Sequence, residues 1–238
     1  MTPRAPRPIF QTVAILGLGL IGGSLAEAIT ERGLARRVIG ANRSADGVRT
    51  ALRRKIIDHG TQNFIQAVAT ADLVILATSI ASIPHILQIV APALKKGAIV
   101  TDVGSTKSWI VTEGEEIVGR HAHFIGGHPM AGLHKQGVGA ARADLLTGAK
   151  FFLTPTRHTS RPALQKLQRF VQGLGMRPVV ISPETHDLLL AAVSHLPMVI
   201  SAALVQVAAG THAKKFRALD AAGPAFRDMT RIAAGSPA

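Results

Sequence analysis

The junction at the first apolar run constrains this chain more than any other feature. Thr12-Val13-Ala14-Ile15-Leu16 passes directly into Gly17-Leu18-Gly19-Leu20-Ile21-Gly22 and then into the helical stretch Gly23-Ser24-Leu25-Ala26-Glu27-Ala28. A GxGxxG pattern alone is weak, but between a buried strand and a helix each glycine has a physical task. Gly17 permits the tight turn, Gly19 lets backbone approach a pyrophosphate, and Gly22 lets the helix pack closely. Unpaired N–H groups at the helix start then face the phosphates. Gly17, Leu18, Gly19, Leu20, Ile21 and Gly22 are therefore the first candidate cofactor residues. The competing reading is a strand-to-helix turn with no ligand.

As far as Ile181 the chain keeps to the same plan. Short β-branched runs at Arg37–Ala41, Leu73–Thr78, Ala98–Asp102, His123–Ile125, Lys150–Thr154 and Pro178–Ile181 alternate with helical stretches at Asp46–Lys55, Ile83–Ala93, Lys107–Val118 and Arg161–Leu174. This alternation predicts an α/β fold, a Rossmann-type and largely parallel sheet buried on both faces. After Ser182-Pro183 the pattern becomes helical only. We therefore expect a dinucleotide-binding domain over 1–182 and an all-helical second domain over 183–238. Within the second, Leu188–Ala209 carries no formal charge over 22 residues, long enough to cross a bilayer. It is Ala-rich, however, and contains Ser194, His195, Pro197, Ser201 and Gln206, so a helix buried on most sides is expected and a membrane is not.

Charge narrows the partners. Lys+Arg 27 against Asp+Glu 14 gives a net charge of +13, which attracts anions in general. The basic residues are scattered and aromatic residues make up only 4%, so a nucleic-acid stacking surface is not expected. With no cysteine, disulfides, thiolate metal sites and cysteine nucleophiles are excluded. His121, His123, His128 and His134 could be read as metal ligands, but they lack helical ligand spacing and carboxylate partners, so no metal is expected. The N-terminal MTPRAPRPIF has no apolar signal core, which leads us to expect a cytoplasmic protein.

Several residues can carry chemistry. At the end of the second strand, where an NAD enzyme places an acidic residue, the chain has Asn42-Arg43-Ser44. With no carboxylate to repel it, a 2′-phosphate can be held there, so NADP is the expected cofactor; a solvated loop arginine is the alternative. Thr78, Ser79 and Asp102, at the ends of later strands, are also candidate cofactor residues. Asp102-Val103-Gly104-Ser105-Thr106-Lys107 and Gly126-Gly127-His128-Pro129-Met130-Ala131-Gly132 both follow strands, on the edge where open parallel sheets bind ligands. Ser194-His195-Leu196-Pro197 places a polar ring inside an apolar helix. His128 reads equally as a loop histidine capping backbone groups, and His195 as a satisfied core histidine.

GLGLIGGS at Gly17–Ser24, DVGSTK at Asp102–Lys107, GGHPMAG at Gly126–Gly132, HD at His186-Asp187, SHLP at Ser194–Pro197 and FRDMTRIA at Phe226–Ala233 together resemble the prephenate/arogenate dehydrogenase family of tyrosine biosynthesis. The match runs from Val13 to about Ser236, and the stretch at Asn42–Ser44 looks like the NADP-dependent members that use arogenate. The resemblance implies hydride transfer to NADP from the ring carbon bearing the 4-hydroxyl, coupled to loss of the ring carboxylate as CO2, in a homodimer whose helical domain over 183–238 serves substrate binding and dimerisation. It implies that His128 takes up the hydroxyl proton and that Ser105 bonds the hydroxyl or orients the imidazole. His195 would line the substrate pocket, and Arg227, or else Arg231, would grip a substrate carboxylate.

Two departures stand out. Leu133-His134 replaces the Thr-Glu that many members carry, and relatives usually continue beyond the position of Ala238. An uncovered apolar helix surface is therefore expected unless a partner chain buries it. Competing functional readings are a β-hydroxyacid or pyrroline-carboxylate type NADP oxidoreductase, and a non-catalytic dinucleotide-binding module.

Overall fold

The computed structural model describes residues 8–133 and 135–234. The chain divides into two compact units, Met1–His186 and Asp187–Ala238.

The first unit is built on an eight-stranded sheet of order β3-β2-β1-β4-β5-β6-β7-β8. Its first half comprises β1 (Phe10–Leu16), β2 (Ala35–Ala41), β3 (His59–Thr61) and β4 (Leu73–Leu76), with α1 (Leu20–Glu31), α2 (Ala45–Arg53) and α3 (Phe64–Val68) between them. The second half runs α4 (Ile83–Val90), β5 (Ile99–Asp102), α5 (Ser108–Val118), β6 (His123–Pro129), β7 (Lys150–Thr154), α6 (Arg161–Gly173) and β8 (Arg177–Val180). All pairings are parallel except β6 with β7. Val13, Ala14, Ile15 and Leu16 are buried on both sides of the sheet, which is why β1 reads as one apolar run. One face packs Leu25, Ile29, Leu167 and Phe170 from α1 and α6. The other packs Ile83, Leu87, Ile110 and Val111 from α4 and α5.

Three elements of this unit depart from the pattern expected. The strand β3 and helix α3 are short and lack a distinctive apolar run; β3 exists through its pairing with β2, Ile39 opposite His59. More consequentially, β6 does not stop at Ile125. Beyond its last parallel partner in β5 it continues through Gly126–Pro129 and pairs antiparallel with β7. His128 is therefore a strand residue, not a loop residue. The glycines make this possible by leaving room on both sides: a Cβ on Gly126 would lie 2.4 Å from Thr154 Oγ1, and one on Gly127 would lie 2.5 Å from the Asp102 carbonyl oxygen. Pro178 sits in β8, an edge strand, where its missing N–H costs no central ladder bond.

Asp72 ties the start of β1 to the turn before β5. It accepts from the backbone N–H groups of Gln11 and Thr12 and from Lys95 Nζ. Partial burial pushes its carboxyl up, but the Lys95 bond and the two backbone donors outweigh this and hold it below its ordinary value. A depressed carboxyl stabilises the fold above the unfolded-state value, and that contribution disappears as pH falls through the folded one. Asp72→Asn should therefore lower the melting temperature at neutral pH. The gap from the unsubstituted chain should close once the pH drops well below 3.8; a pH-independent gap would contradict this.

The second unit begins within a continuous helical rod. Its parts are α7 (Pro183–Leu190), a π-helical turn (Ala191–His195) and α8 (Leu196–Gly210). Pro197 has no N–H to offer the Val193 carbonyl, and the helix widens immediately before it. Against the all-helical expectation, a short hairpin, β9 (His212–Ala213) with β10 (Phe216–Arg217), turns through Lys214 at φ 55° and leads to α9 (Pro224–Thr230) and a terminal turn at Arg231–Ala234; two-residue strands carry no alternating run that could mark them in the sequence. Ser201 Oγ accepts from the Ala233 N–H and pins that turn onto α8.

This rod carries the uncovered apolar surface expected of a chain without its partner, and it departs from a second expectation. Its composition predicts burial on most sides, yet only 11% of its most apolar window is buried. Leu188 is 74% exposed, Val193 71% and Val207 68%. The Leu/Val/Ala pattern is that of a core helix, but the described residues of a single chain leave most of its circumference uncovered.

Candidate active site

The nucleotide cradle lies where β1 turns into α1. Gly17 has φ +103°, and a Cβ there would lie 2.3 Å from the Ala77 carbonyl oxygen. A Cβ on Gly22 would lie 1.9 Å from the Gly17 carbonyl oxygen, so α1 can rest on the turn only with hydrogen at that position. Around Gly19 nothing lies within 4 Å of the equivalent point. Gly19 caps α1 without a side chain, and the first turn of α1 holds no acidic residue. That is an open, electropositive helix start beside a smooth backbone, the shape and polarity a pyrophosphate requires. Leu20 and Ile21 are half-buried there, whereas the Leu18 side chain is 2% exposed and faces the core. Leu18 can meet a ligand only through its backbone.

The neighbouring strand ends add to this edge. Thr78 Oγ1, just past β4, is buried and has no hydrogen-bond partner among the described residues. Such an atom carries a desolvation cost until a ligand reaches it, and it fits a bound nucleotide. Ser79 is exposed and its hydroxyl pairs with Ser82 at 2.7 Å. After β2, Asn42 is half-buried with its amide against Gly47, and Ser44 caps α2 by accepting from the Gly47 N–H at 3.4 Å. Arg43 is exposed, its carbonyl held by Gln62 at 2.7 Å. Asp46, the carboxylate next along, pairs with Arg49.

Asp102 is fully buried at the end of β5. One carboxylate oxygen accepts from the Gly104 N–H at 2.8 Å and from Lys107 Nζ, and the other accepts from the Gly127 N–H at 3.0 Å. Lys107, equally buried, also donates to the Gly127 carbonyl at 2.9 Å. The pair thus staples the Gly104–Lys107 loop, which carries half-buried Ser105, to β6 two residues from the end of its parallel section. The carboxylate is turned toward backbone and lysine. Sequence spacing places Asp102 at the cofactor edge but cannot reveal which way it points.

His128 is half-buried on β6, directly opposite Phe152 of β7. Its Nδ1 lies 2.9 Å from Nε2 of His186 in α7. His186 is fully buried, with its ring edge-on to both His128 and Phe152 at centroid distances of 5.1 and 5.3 Å. Local chemistry sets its position: Ser182 accepts from the Thr185 N–H at 3.1 Å as the cap of a helix with proline in its first turn. In the sequence His186 stands within a motif without an evident role of its own, because its partner lies 58 residues away.

The second unit contains His195, Arg227 and Arg231. His195 closes the π-helical turn, and its Nε2 is buried with no partner among the described residues. Arg227 on α9 and Arg231 on the terminal turn are both exposed. The first unit brings together Gly17–Gly22, Asn42–Ser44, Thr78, Asp102, Ser105 and His128 along the carboxyl ends of its parallel strands. Among the described residues no group of three or more His, Asp or Glu side chains can hold a metal ion, and His134 lies outside them. His121 instead bonds the Leu94 carbonyl at 2.7 Å.

Comparison with known proteins adds to this geometry. The sequence model for the prephenate dehydrogenase nucleotide-binding domain matches residues 25–180, and that for the prephenate dehydrogenase dimerization domain matches 182–238. Prephenate dehydrogenase of Bacillus subtilis is 38% identical over 236 residues, covering 95% of this chain; the chain spans 62% of that relative's length. The crystal structure of the A. aeolicus prephenate dehydrogenase, in complex with hydroxyphenyl propionate and NAD+, superimposes with a TM-score of 0.89. It is 33% identical, over 95% of this chain and 79% of that one. Synechocystis arogenate dehydrogenase gives a TM-score of 0.81 at 35% identity, over 95% and 80%. With both domain models matched in sequence order along nearly the whole length, the chain belongs to the prephenate dehydrogenase family.

Proposed function

We propose that this chain oxidatively decarboxylates a cyclohexadienyl substrate, arogenate first and prephenate second, giving tyrosine or 4-hydroxyphenylpyruvate, with NADP as the electron acceptor. The observation that carries this reading is the half-buried imidazole of His128, held on β6 beyond the carboxyl end of β5, the edge at which the nucleotide cradle also opens. The family assignment supports it, as do the prephenate and arogenate dehydrogenases among the similar structures.

The nicotinamide, when bound, supplies the acceptor for the hydride that leaves the ring carbon. His128 accepts the 4-hydroxyl proton, so the oxygen becomes a carbonyl as that carbon is oxidised. Breaking the bond to the ring carboxylate releases CO2 and leaves its electron pair in the ring, which becomes aromatic. The imidazolium at His128 returns its proton to the ring oxygen, leaving a phenol. Ser105 bonds the same hydroxyl or steadies the imidazole, His195 lines the pocket, and Arg227 holds a substrate carboxylate through paired N–H donors, with Arg231 as the second candidate. Asp102 serves the cofactor edge by holding the Gly104–Lys107 loop in place.

The NADP preference rests on Arg43, exposed beside the α2 helix start, with the next carboxylate along the chain, Asp46, already paired to Arg49. A charge-assisted bond of this kind contributes about 1.5–3 kcal/mol, or roughly 10- to 100-fold in affinity. Arg43→Asp should lose at least that factor for NADP and reverse the NADP/NAD ratio of kcat/KM. An unchanged ratio would remove Arg43 from the argument.

The exposed apolar rod from Pro183 to Gly210 we assign to a second copy of this chain, consistent with the dimerization-domain match over 182–238. Sedimentation should give a concentration-dependent dimer; a monomer that partitions onto lipid vesicles would instead favour a membrane role. A cytoplasmic location fits the cysteine-free composition. Steady-state assay of the four substrate–cofactor pairings tests the whole reading. Tight NADP binding with no turnover in any pairing would leave only a nucleotide-binding module.

A further inference from the structure

We infer that His186 is a positioning residue for the reaction: it accepts a hydrogen bond from Nδ1–H of His128 and so leaves Nε2 of His128 as the nitrogen that receives the substrate proton. The inference rests on the reading of His128 as the base, and its grounds are geometric.

The 2.9 Å contact between His128 Nδ1 and His186 Nε2 joins two ring nitrogens directly. Only one hydrogen can lie between them. Either His128 donates and His186 accepts, or the reverse. In the reverse arrangement His128 carries its hydrogen on Nε2, and that nitrogen has no lone pair for a hydroxyl proton. In the first, Nε2 of His128 bears the lone pair. The catalytic cycle separates the two arrangements. Once His128 has taken a proton it is an imidazolium with N–H on both nitrogens, so it must donate through Nδ1. The first arrangement satisfies this before and after proton uptake with no hydrogen moving between the rings. The reverse would set two N–H groups against each other as the charge forms.

The surroundings hold the acceptor in place. His186 is fully buried, its ring stands edge-on to Phe152 at 5.3 Å, and its helix start is capped by Ser182. Phe152 lies opposite His128 across the β6–β7 pair, so one strand register sets both rings against the same partner. As His128 becomes charged, its bond to His186 becomes charge-assisted, and it strengthens at the moment the base needs stabilisation. The arrangement parallels the outer partners that fix the tautomer of metal-bound histidines.

The test uses the full chain and two variants. His186→Gln retains an acceptor oxygen, and His186→Phe retains ring volume but offers none. We expect kcat to fall about 10- to 100-fold in His186→Phe, the range seen for comparable outer partners. KM and NADP affinity should change far less, and His186→Gln should recover most of the rate. Nitrogen-15 chemical shifts of the His128 ring, recorded without substrate, should show hydrogen on Nδ1 in the unsubstituted chain and in His186→Gln, and mixed tautomers in His186→Phe. Hydrogen on Nε2 of His128 in the unsubstituted chain would overturn the inference even if His186→Phe fails to fold. So would a His186→Phe variant with unchanged kcat and tautomer. An active His128→Ala would instead sink the reading of His128 as base, whatever the tautomer.

Discussion

Replacing His128 by alanine is expected to lower kcat by about 10²–10⁴-fold, the span a positioned general base contributes. The loss has one origin: the ring carbon that bears the hydroxyl cannot give up its own hydrogen as hydride unless the hydroxyl proton is accepted nearby. The proposed nucleotide cradle draws on other residues, Gly17 to Gly22 on the β1–α1 turn and Asn42 to Ser44 after β2, so affinity for the nicotinamide dinucleotide should stay within a few-fold. Alanine also strips His186 of its ring partner, so a second substitution guards against a purely structural effect. His128→Asn keeps an amide that can still donate toward His186, yet it cannot take up a proton at neutral pH. Both variants should show the same collapse of kcat with NADP binding preserved in a fluorescence titration. If the asparagine variant turned over at even a tenth of the original rate, proton transfer would have to be assigned to another group.

The second large effect is on stability. Asp102→Asn should cost about 3–5 kcal/mol, because it breaks a buried ion pair while leaving the other charge in place. For a chain of this size that corresponds to a fall in Tm of roughly 6–20 °C. The carboxylate oxygens meet donors on both sides: the N–H groups of Gly104 and Gly127 and the ammonium of Lys107. An amide has the same shape but turns one acceptor into a second donor, facing N–H or ammonium hydrogens. Lys107 would keep its bond to the Gly127 carbonyl yet lose its countercharge in a site of zero exposure. Combining Asp102→Asn with Lys107→Met should regain part of the loss, since a buried pair exchanged for apolar volume is often close to neutral. Urea titration of the two variants decides the matter. A single substitution costing under about 1 kcal/mol would mean the pair behaves like a surface salt bridge. Activity should fall with stability, because the loop bearing Ser105 and the strand bearing His128 are both tied to this carboxylate.

His128 and Asp102 differ in how legible they are in the sequence. His128 stands out because Gly-Gly-His-Pro follows a strand and matches a family motif, although its strand conformation does not: β6 extends only because β7 is there to pair with it. Asp102 is legible as a residue at a sheet edge, but its inward orientation depends on Lys107 folding back from the start of α5. The apolar stretch Leu188–Ala209 illustrates the opposite limit. Its composition suits a buried helix, and burial is a property of what packs on it, which among the described residues is little.

From the residues in order, most of this protein's backbone plan was already settled: the strand, glycine turn and helix at Val13–Ala28, the alternation that makes a parallel sheet, and the change to a mainly helical pattern after Pro183, the hairpin at His212–Arg217 excepted. These follow from local rules, hydrophobic period and glycine sterics, that act over a few residues. Only the tertiary structure decided that His186 sits against His128, that Asp102 closes on Lys107 and Gly127, and how little of the long helix the described residues cover. A hydrogen-bond partner or a buried face belongs to whichever distant element docks there, and no spacing along the chain encodes which of several polar side chains arrives.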